Sequence, residues 1–243
     1  MPRTQLKVTL LAHTPDIEKT CAMAARTCYS SMHCDELAAW AEEKDPAAFL
    51  RKIMASGHLS VLEHGSFTFF IEGVSRSLLA QITRHRIASF SVQSQRYVNL
   101  AESFAFIVPP AVEALGDEAV KEYEQQMETM RTWYLGWQEK LGGGPSANED
   151  ARFVLPNACE TRMTVTMNCR ELLHFFSLRT CERAQWEIRA LAVEMLRLCK
   201  QAAPAIFENA GPGCVSGPCP EGAKSCGKAA EKRAFFANLD TKQ

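Results

Sequence analysis

Between Glu72 and Glu102 the chain has no acidic residue, although Arg76, Arg84, Arg86 and Arg96 all lie in that interval. The formal net charge of the whole chain is only −1, so the imbalance is local. Two guanidinium groups flanking one residue repel each other if buried unpaired, which excludes an ordinary packed core for Arg84 and Arg86. Also missing is any uninterrupted apolar run near the roughly 20 residues that cross a bilayer. The first residues, Met-Pro-Arg-Thr-Gln-Leu-Lys-Val, lack the apolar core of a signal peptide, so a cytoplasmic location without a membrane partner is expected. No G-x-G-x-x-G unit occurs, and Gly142-Gly-Gly-Pro145 does not follow a strand pattern, so a dinucleotide would have to be held without a Rossmann unit. A general basic excess is absent too: the pI is near 6.6, which speaks against a nucleic-acid coat and for a small anionic ligand.

What is present fits a globular enzyme-sized chain. At 243 residues, 47% hydrophobic and 23% charged, it can bury a substantial core. Its ten cysteines, without an export signal, read as reduced thiols. Cys21, Cys28, Cys169, Cys181 and Cys199 fall in helix-like apolar patterns and are expected in the core. The last stretch, 208–243, is rich in cysteine, glycine and proline and reads as a flexible tail or added clasp after a main domain over 1–207. Cys214, Cys219 and Cys226 lack the paired spacing of a zinc site, so no metal is expected; a fourth ligand would have to come from His33 or another subunit.

Leu6 to Ala12 alternates as a strand, a helix opens at Thr14 or Asp16 and runs towards Cys28, and Asp45-Pro46 caps a helix that Gly57 stops. Phe67, Phe69 and Ile71 share one strand face. Leu78, Leu79 and Ile82 recur at helical spacing, which places Gln81 and Arg84 near a helix C-terminus, where the dipole favours a cation. Ile87 to Tyr97 reads as a loop followed by a short strand, and Val112 to Leu141 as a long helical region interrupted at Gly116. Its stripe of Tyr123, Met127, Met130, Trp133, Tyr134 and Trp137 reads as core or subunit interface. Ser146 is expected to cap a short helix carrying Arg152, and Arg162 to Met167 reads as a strand. Asn168 and Glu171 form a capping pair for a helix on which Arg170 and His174 share a face. Arg179 to Arg183 breaks that helix before an amphipathic one resumes at Ala184.

Planar guanidinium forks match phosphate or carboxylate oxygens two bonds at a time. Four of them without acids, beside Ser89, Ser91, Ser94, Phe90 and Tyr97, read as a phosphate site, although acids distant in sequence could pair with them. The run Arg84-His85-Arg86-x-x-Ser89-x-x-x-x-Ser94-x-Arg96 fixes six of thirteen positions and resembles the signature of the flavin-dependent thymidylate synthases. Asn168-x-Arg170, His174, Arg179 and Ala184-Gln-Trp186-Glu-Ile188-Arg189 resemble that family's second ligand-binding segment, and the likeness covers roughly residues 5 to 207.

The resemblance implies conversion of dUMP to dTMP, with methylenetetrahydrofolate as carbon donor and FADH⁻, regenerated by NADPH, as hydride donor. It implies an α+β fold, a mainly antiparallel sheet flanked by helices, and a homotetramer with sites shared between subunits. By the same likeness Gln81, Arg84, Ser94, Gln95, Arg96, Arg152 and Arg179 would contact dUMP, and Arg179 would be catalytic, holding the negative charge left when uracil N3 loses its proton. Ser60, Arg84, His85, Arg86, Asn168, Arg170 and His174 would hold FAD. Two positions depart from the pattern: Val92 stands where many members carry glutamate, with Gln93 or Gln95 as candidates for that role, and His174 where many carry asparagine. No histidine–acid pair lies beside Ser94 in sequence to activate it, and no cysteine except Cys169 enters either arginine segment, so a covalent enzyme nucleophile is not expected. A different class also accounts for the arginines: a non-catalytic nucleotide- or RNA-binding protein in which Phe90 and Tyr97 stack on bases.

Overall fold

The computed structural model describes residues 3–100 and 104–239. In chain order the elements are β1 (Lys7–His13), α1 (Ile17–Thr27), α2 (Cys34–Glu43), α3 (Pro46–Ala55), β2 (Ser66–Ser75), α4 (Arg76–Ile82), β3 (Ala88–Val92), α5 (Pro110–Glu113), α6 (Asp117–Lys140), α7 (Gly144–Ala151), β4 (Glu160–Asn168), α8 (Cys169–Arg179), α9 (Trp186–Ala202), α10 (Pro204–Phe207) and α11 (Ala229–Ala237). Short 3₁₀ turns occupy Ser60–His64, Arg152–Val154 and Gly222–Lys224. The four strands form an antiparallel sheet in the order β1-β2-β4-β3, flanked by helices, as expected for an α+β chain. The described residues divide into two compact units, one drawn from 3–7, 70–84, 90–100 and 104–164, the other from 8–69, 85–89 and 165–239.

In the first unit, Ser75 ends β2 and caps α4, its hydroxyl accepting from the Leu78 amide at 3.1 Å. The helix therefore begins at Arg76 and releases the chain just before Arg84. Gly116, at φ 99°, separates α5 from α6 at the expected break. From α6, Met127 and Tyr134 are buried with Leu100, Phe104, Phe106, Val108, Ala151 and Cys159, while Trp133 and Trp137 of the same stripe face solvent. The stripe thus supplies core on one side and an exposed aromatic face on the other. Gly73 is required by close approach: at φ 70°, a Cβ there would lie 1.9 Å from the Gln5 carbonyl oxygen.

The second unit is built on aromatic packing. Phe67 stacks on Phe69 at 6.0 Å and meets Phe207 edge-on at 5.7 Å, and Phe176 of α8 meets the same Phe207 at 5.9 Å. Asp45 caps α3 by accepting from the Ala48 amide, Asn168 caps α8 by accepting from the Glu171 amide, and Gln185 caps α9. Lys200 is buried and donates to the Glu208 and Phe236 carbonyls, each at 2.9 Å, while Arg233 donates to the Cys214 and Gly217 carbonyls.

Several expectations need correction. The strand in the Ile87–Tyr97 stretch comes first, as β3, and the irregular segment follows it, because Ala88, Phe90 and Val92 are half-buried while Ser89 and Ser91 between them face solvent. Helix α7 starts at Gly144, so Ser146 lies inside it and does not cap it. Helix α2 was not expected; His33 and Glu36 close a capping box at its start, with histidine in place of the usual serine or threonine. Of the cysteines expected in the core, Cys21, Cys169 and Cys199 are buried, whereas Cys28 is exposed past the end of α1 and Cys181 is half-buried in the break after α8. All ten cysteines are free thiols.

Candidate functional site

Each unit gathers its own set of the residues singled out above. In the first unit, Gln81 sits in the last turn of α4 with its amide near the Ser77 carbonyl, and Arg84 follows in solvent. The turn after β3 uses the Ser94 hydroxyl to accept from the Arg96 and Tyr97 amides, at 3.2 and 3.4 Å. That oxygen is therefore engaged as a local acceptor that shapes the turn. Gln95 reaches Cys159 Sγ at 3.6 Å. Arg96 lies over the Tyr97 ring, 5.3 Å from its centroid, and pairs with Glu149 at 3.0 Å, both side chains being well exposed. Arg152 donates from Nε to the Glu149 carbonyl at 3.0 Å. Arg76 donates to the Gln93 carbonyl at 3.1 Å, leaves its Nε unpartnered, and has its pKa lowered by burial and by the nearby Arg152.

In the second unit a cavity of about 670 Å³ is lined by Leu59, Glu63, Ile87, Asn168, Arg170, Glu171, Leu173 and His174. Arg170 and His174, one turn apart on α8, both project to this side, and Arg170 pairs with Glu63 at the rim. Ser60 opens the neighbouring 3₁₀ turn and is exposed. His58 is held by Tyr29, whose hydroxyl lies 3.3 Å from Nδ1. Arg84 and Arg86 form no ion pair among the described residues, and the His85 ring between them turns inward. His85 Nδ1 lies 2.9 Å from Glu171 Oε1, and His85 Nε2 accepts from Arg179 Nε at 3.1 Å. Burial lowers the His85 pKa, the Glu171 contact opposes that shift, and Arg179 and His174 add to it.

The acid-free stretch is thus only partly free of acids in space. Glu149, distant in sequence, reaches Arg96, whereas Arg84 and Arg86 have no carboxylate partner among the described residues; outside the stretch, Glu63 reaches Arg170. Sequence reasoning did not single out Glu63, Glu149, Leu59, Ile87 or Leu173, and it took Glu171 only as part of a cap. A signal for Glu171 existed: it stands at helical spacing from Phe175, on the buried face of α8, where a carboxylate needs a partner. No group of three or more histidine, cysteine, aspartate or glutamate side chains able to hold a metal occurs among the described residues. No helix among them is long and apolar enough to cross a membrane.

A family model described as thymidylate synthase complementing protein matches residues 9–205. The chain belongs to the flavin-dependent thymidylate synthase family. It is 55% identical to the flavin-dependent thymidylate synthase of Geobacter sulfurreducens, over 96% of this chain and 99% of that one. The flavin-dependent thymidylate synthase of Clostridium tetani is 47% identical over 95% of this chain and 97% of its own length, and that of Nitratidesulfovibrio vulgaris 48% identical over 94% and 97%. The cavity's donor set suits a flavin nucleotide. Arg170 and His174 offer cationic or hydrogen-bonding groups to a pyrophosphate, and Leu59, Ile87 and Leu173 offer apolar faces to a ring.

Proposed function

We propose that the chain catalyses the reductive methylation of dUMP to dTMP, with methylenetetrahydrofolate as carbon donor and NADPH as the source of reducing equivalents. The observation that carries this reading is the family match over residues 9–205, joined to a cavity whose rim and walls hold the family's second-segment residues Asn168, Arg170 and His174. FAD would be held by Ser60, Arg84, Arg86, Asn168, Arg170 and His174, with His85 contributing main chain between the two exposed arginines. When bound, the flavin supplies the hydride that turns the transferred methylene into a methyl group.

The remaining chemistry falls to side chains. Gln81, Arg84, Ser94, Gln95, Arg96 and Arg152 bind dUMP, the arginines taking the phosphate and the amides and hydroxyl the base and sugar. Arg179 holds the negative charge on uracil once N3 has lost its proton; a guanidinium keeps its own proton throughout and so acts as a fixed counter-charge. Electron density shifted towards C5 makes that carbon the nucleophile, and no bond to an enzyme side chain is needed. The enzyme acts in the cytoplasm, where free cysteines stay reduced, and without nucleic-acid or membrane partners. It works as a homotetramer with sites shared between subunits, for which the exposed Trp133 and Trp137 of α6 are contact candidates.

The test is an absorbance spectrum of purified protein followed by a turnover assay. A visible flavin band bleached by NADPH, with dTMP formed from dUMP and methylenetetrahydrofolate, is expected. A colourless protein that binds RNA with steep salt dependence and forms no dTMP would overturn the reading.

A further inference from the structure

His85 is 5% exposed and Glu171 7% exposed; Glu171 borders the cavity, whereas the His85 ring lies behind it, and neither belongs to the apolar core they interrupt. The contacts around them fix a proton arrangement. Arg179 Nε always carries a hydrogen and donates it to His85 Nε2, so Nε2 must present a lone pair. The ring proton then sits on Nδ1 and is donated to Glu171 Oε1, 2.9 Å away. A doubly protonated imidazole would set two N–H groups head to head at the Arg179 end. The chain Glu171–His85–Arg179 thus runs carboxylate, neutral imidazole, guanidinium, with the carboxylate selecting the tautomer that can accept from the guanidinium. A carboxylate this buried is costly unless hydrogen-bonded, and here its attraction for Arg179 is transmitted through one ring. Phe175 packs edge-on against the same ring at 5.0 Å and closes its apolar side.

We propose that His85 and Glu171 are positioning residues for Arg179: the imidazole, locked in its Nδ1–H tautomer by the buried glutamate, anchors Nε and fixes the plane of the guanidinium, and the His85 ring does not itself touch flavin or substrate. This rests on the role given to Arg179 above. It assigns the middle residue of the Arg84-His85-Arg86 run to a different task from its neighbours, whose side chains face solvent.

The arrangement carries a pH signature. The titratable groups acting on His85 are Glu171, Arg179 and His174, and burial keeps the ring neutral below its ordinary value of 6.5. As pH falls through that lowered pKa, Nε2 gains a proton, the acceptor is lost and like charges push Arg179 away. Wild-type kcat should therefore hold through pH 6.5 and fall only below it.

The experiment measures kcat, the dUMP KM and bound flavin across pH for wild type, His85→Phe, His85→Gln and Glu171→Gln, with nitrogen NMR of labelled histidine on the wild type. His85→Phe should lose about 10–100-fold in kcat, as loss of an orienting partner commonly costs, with KM and flavin content moving far less. His85→Gln can still accept from Arg179 and donate to Glu171, so it should lose much less and show no acid limb. The NMR should report a neutral ring protonated at Nδ1 at neutral pH. Wild-type kcat in His85→Phe, or a His85 ring protonated at Nε2, would overturn the proposal. Should His85→Phe fail to fold, the His85→Gln pH profile and the NMR decide. A wild type that forms no dTMP would overturn the underlying activity, a failure visible before any variant is made.

Discussion

In the first unit Arg96 reaches an exposed carboxylate, Glu149, and Arg152 leans its Nε on the carbonyl of that same residue. In the second, Arg179 rests on an imidazole that is backed by a buried glutamate. The difference is one of exchangeability. An exposed ion pair contributes only about 0–1 kcal/mol, so an incoming phosphate can take the place of Glu149 at little cost. The buried chain has no such alternative, because separating Glu171 from His85 leaves a carboxylate unpaired away from water. Cations of the first kind suit binding, where the partner must come and go. A cation of the second kind suits a step in which direction matters more than affinity.

The largest test of that contrast sets Arg179→Ala beside Arg84→Ala. Removing a preorganised charge that meets developing negative charge commonly costs about 10²–10³-fold in kcat. Arg179→Ala should show a loss of that size in steady-state assays, with a smaller change in the dUMP KM and a melting temperature close to wild type. Arg84→Ala, which removes an exposed arginine without an ion pair, should act mainly on KM. The opposite pattern, kcat lost in the second variant and KM in the first, would break the comparison.

Next in size are Arg96→Ala and Arg152→Ala. A hydrogen bond to a charged group is worth about 1.5–3 kcal/mol, so each should raise the dUMP dissociation constant by about 10–100-fold in calorimetric titration while leaving flavin content unchanged. A companion measurement on the second unit is Phe176→Ala, which should cost about 3–5 kcal/mol in urea unfolding, because Phe176 is fully buried against Phe207. Binding defects without stability loss in the first pair, and stability loss in Phe176→Ala, would confirm that Arg96 and Arg152 are not holding the fold together.

How much of this could be read from the sequence divides along the same line. Elements set by local chemistry were legible: the Asp45-Pro46 start of α3, the Asn168 cap of α8, the break at Gly116 and the alternating Phe67, Phe69 and Ile71 face all follow from caps and periodicity within a few residues. The arginine positions were legible too, since the spaced motif is itself local. Illegible were the partners, because Glu149 lies 53 positions after Arg96, Glu63 lies 107 before Arg170, and Glu171 lies 86 after His85. No periodicity within one element encodes pairings across such separations. The order of strand and loop after Ile87 failed for a related reason: serines at alternating positions look like loop until the burial of Phe90 and Val92 shows a strand face.

The smallest predicted effect is also the sharpest discriminator. Glu149→Gln removes the carboxylate from an exposed pair with Arg96 and keeps the backbone carbonyl that Arg152 uses. Stability should change by no more than about 1 kcal/mol. If Arg96 serves the dUMP phosphate, Glu149 competes with that phosphate in the free enzyme, so the variant should bind dUMP slightly more tightly, by a few-fold at low salt, with the gain fading as ionic strength rises. If instead the pair exists to hold Arg96 in place, the same substitution weakens binding at every salt concentration. A titration at two ionic strengths separates these outcomes. Weakening would move Arg96 to the side of Arg179, as a cation whose orientation depends on its carboxylate, and would erase the distinction between the two units at the residue where it is easiest to measure.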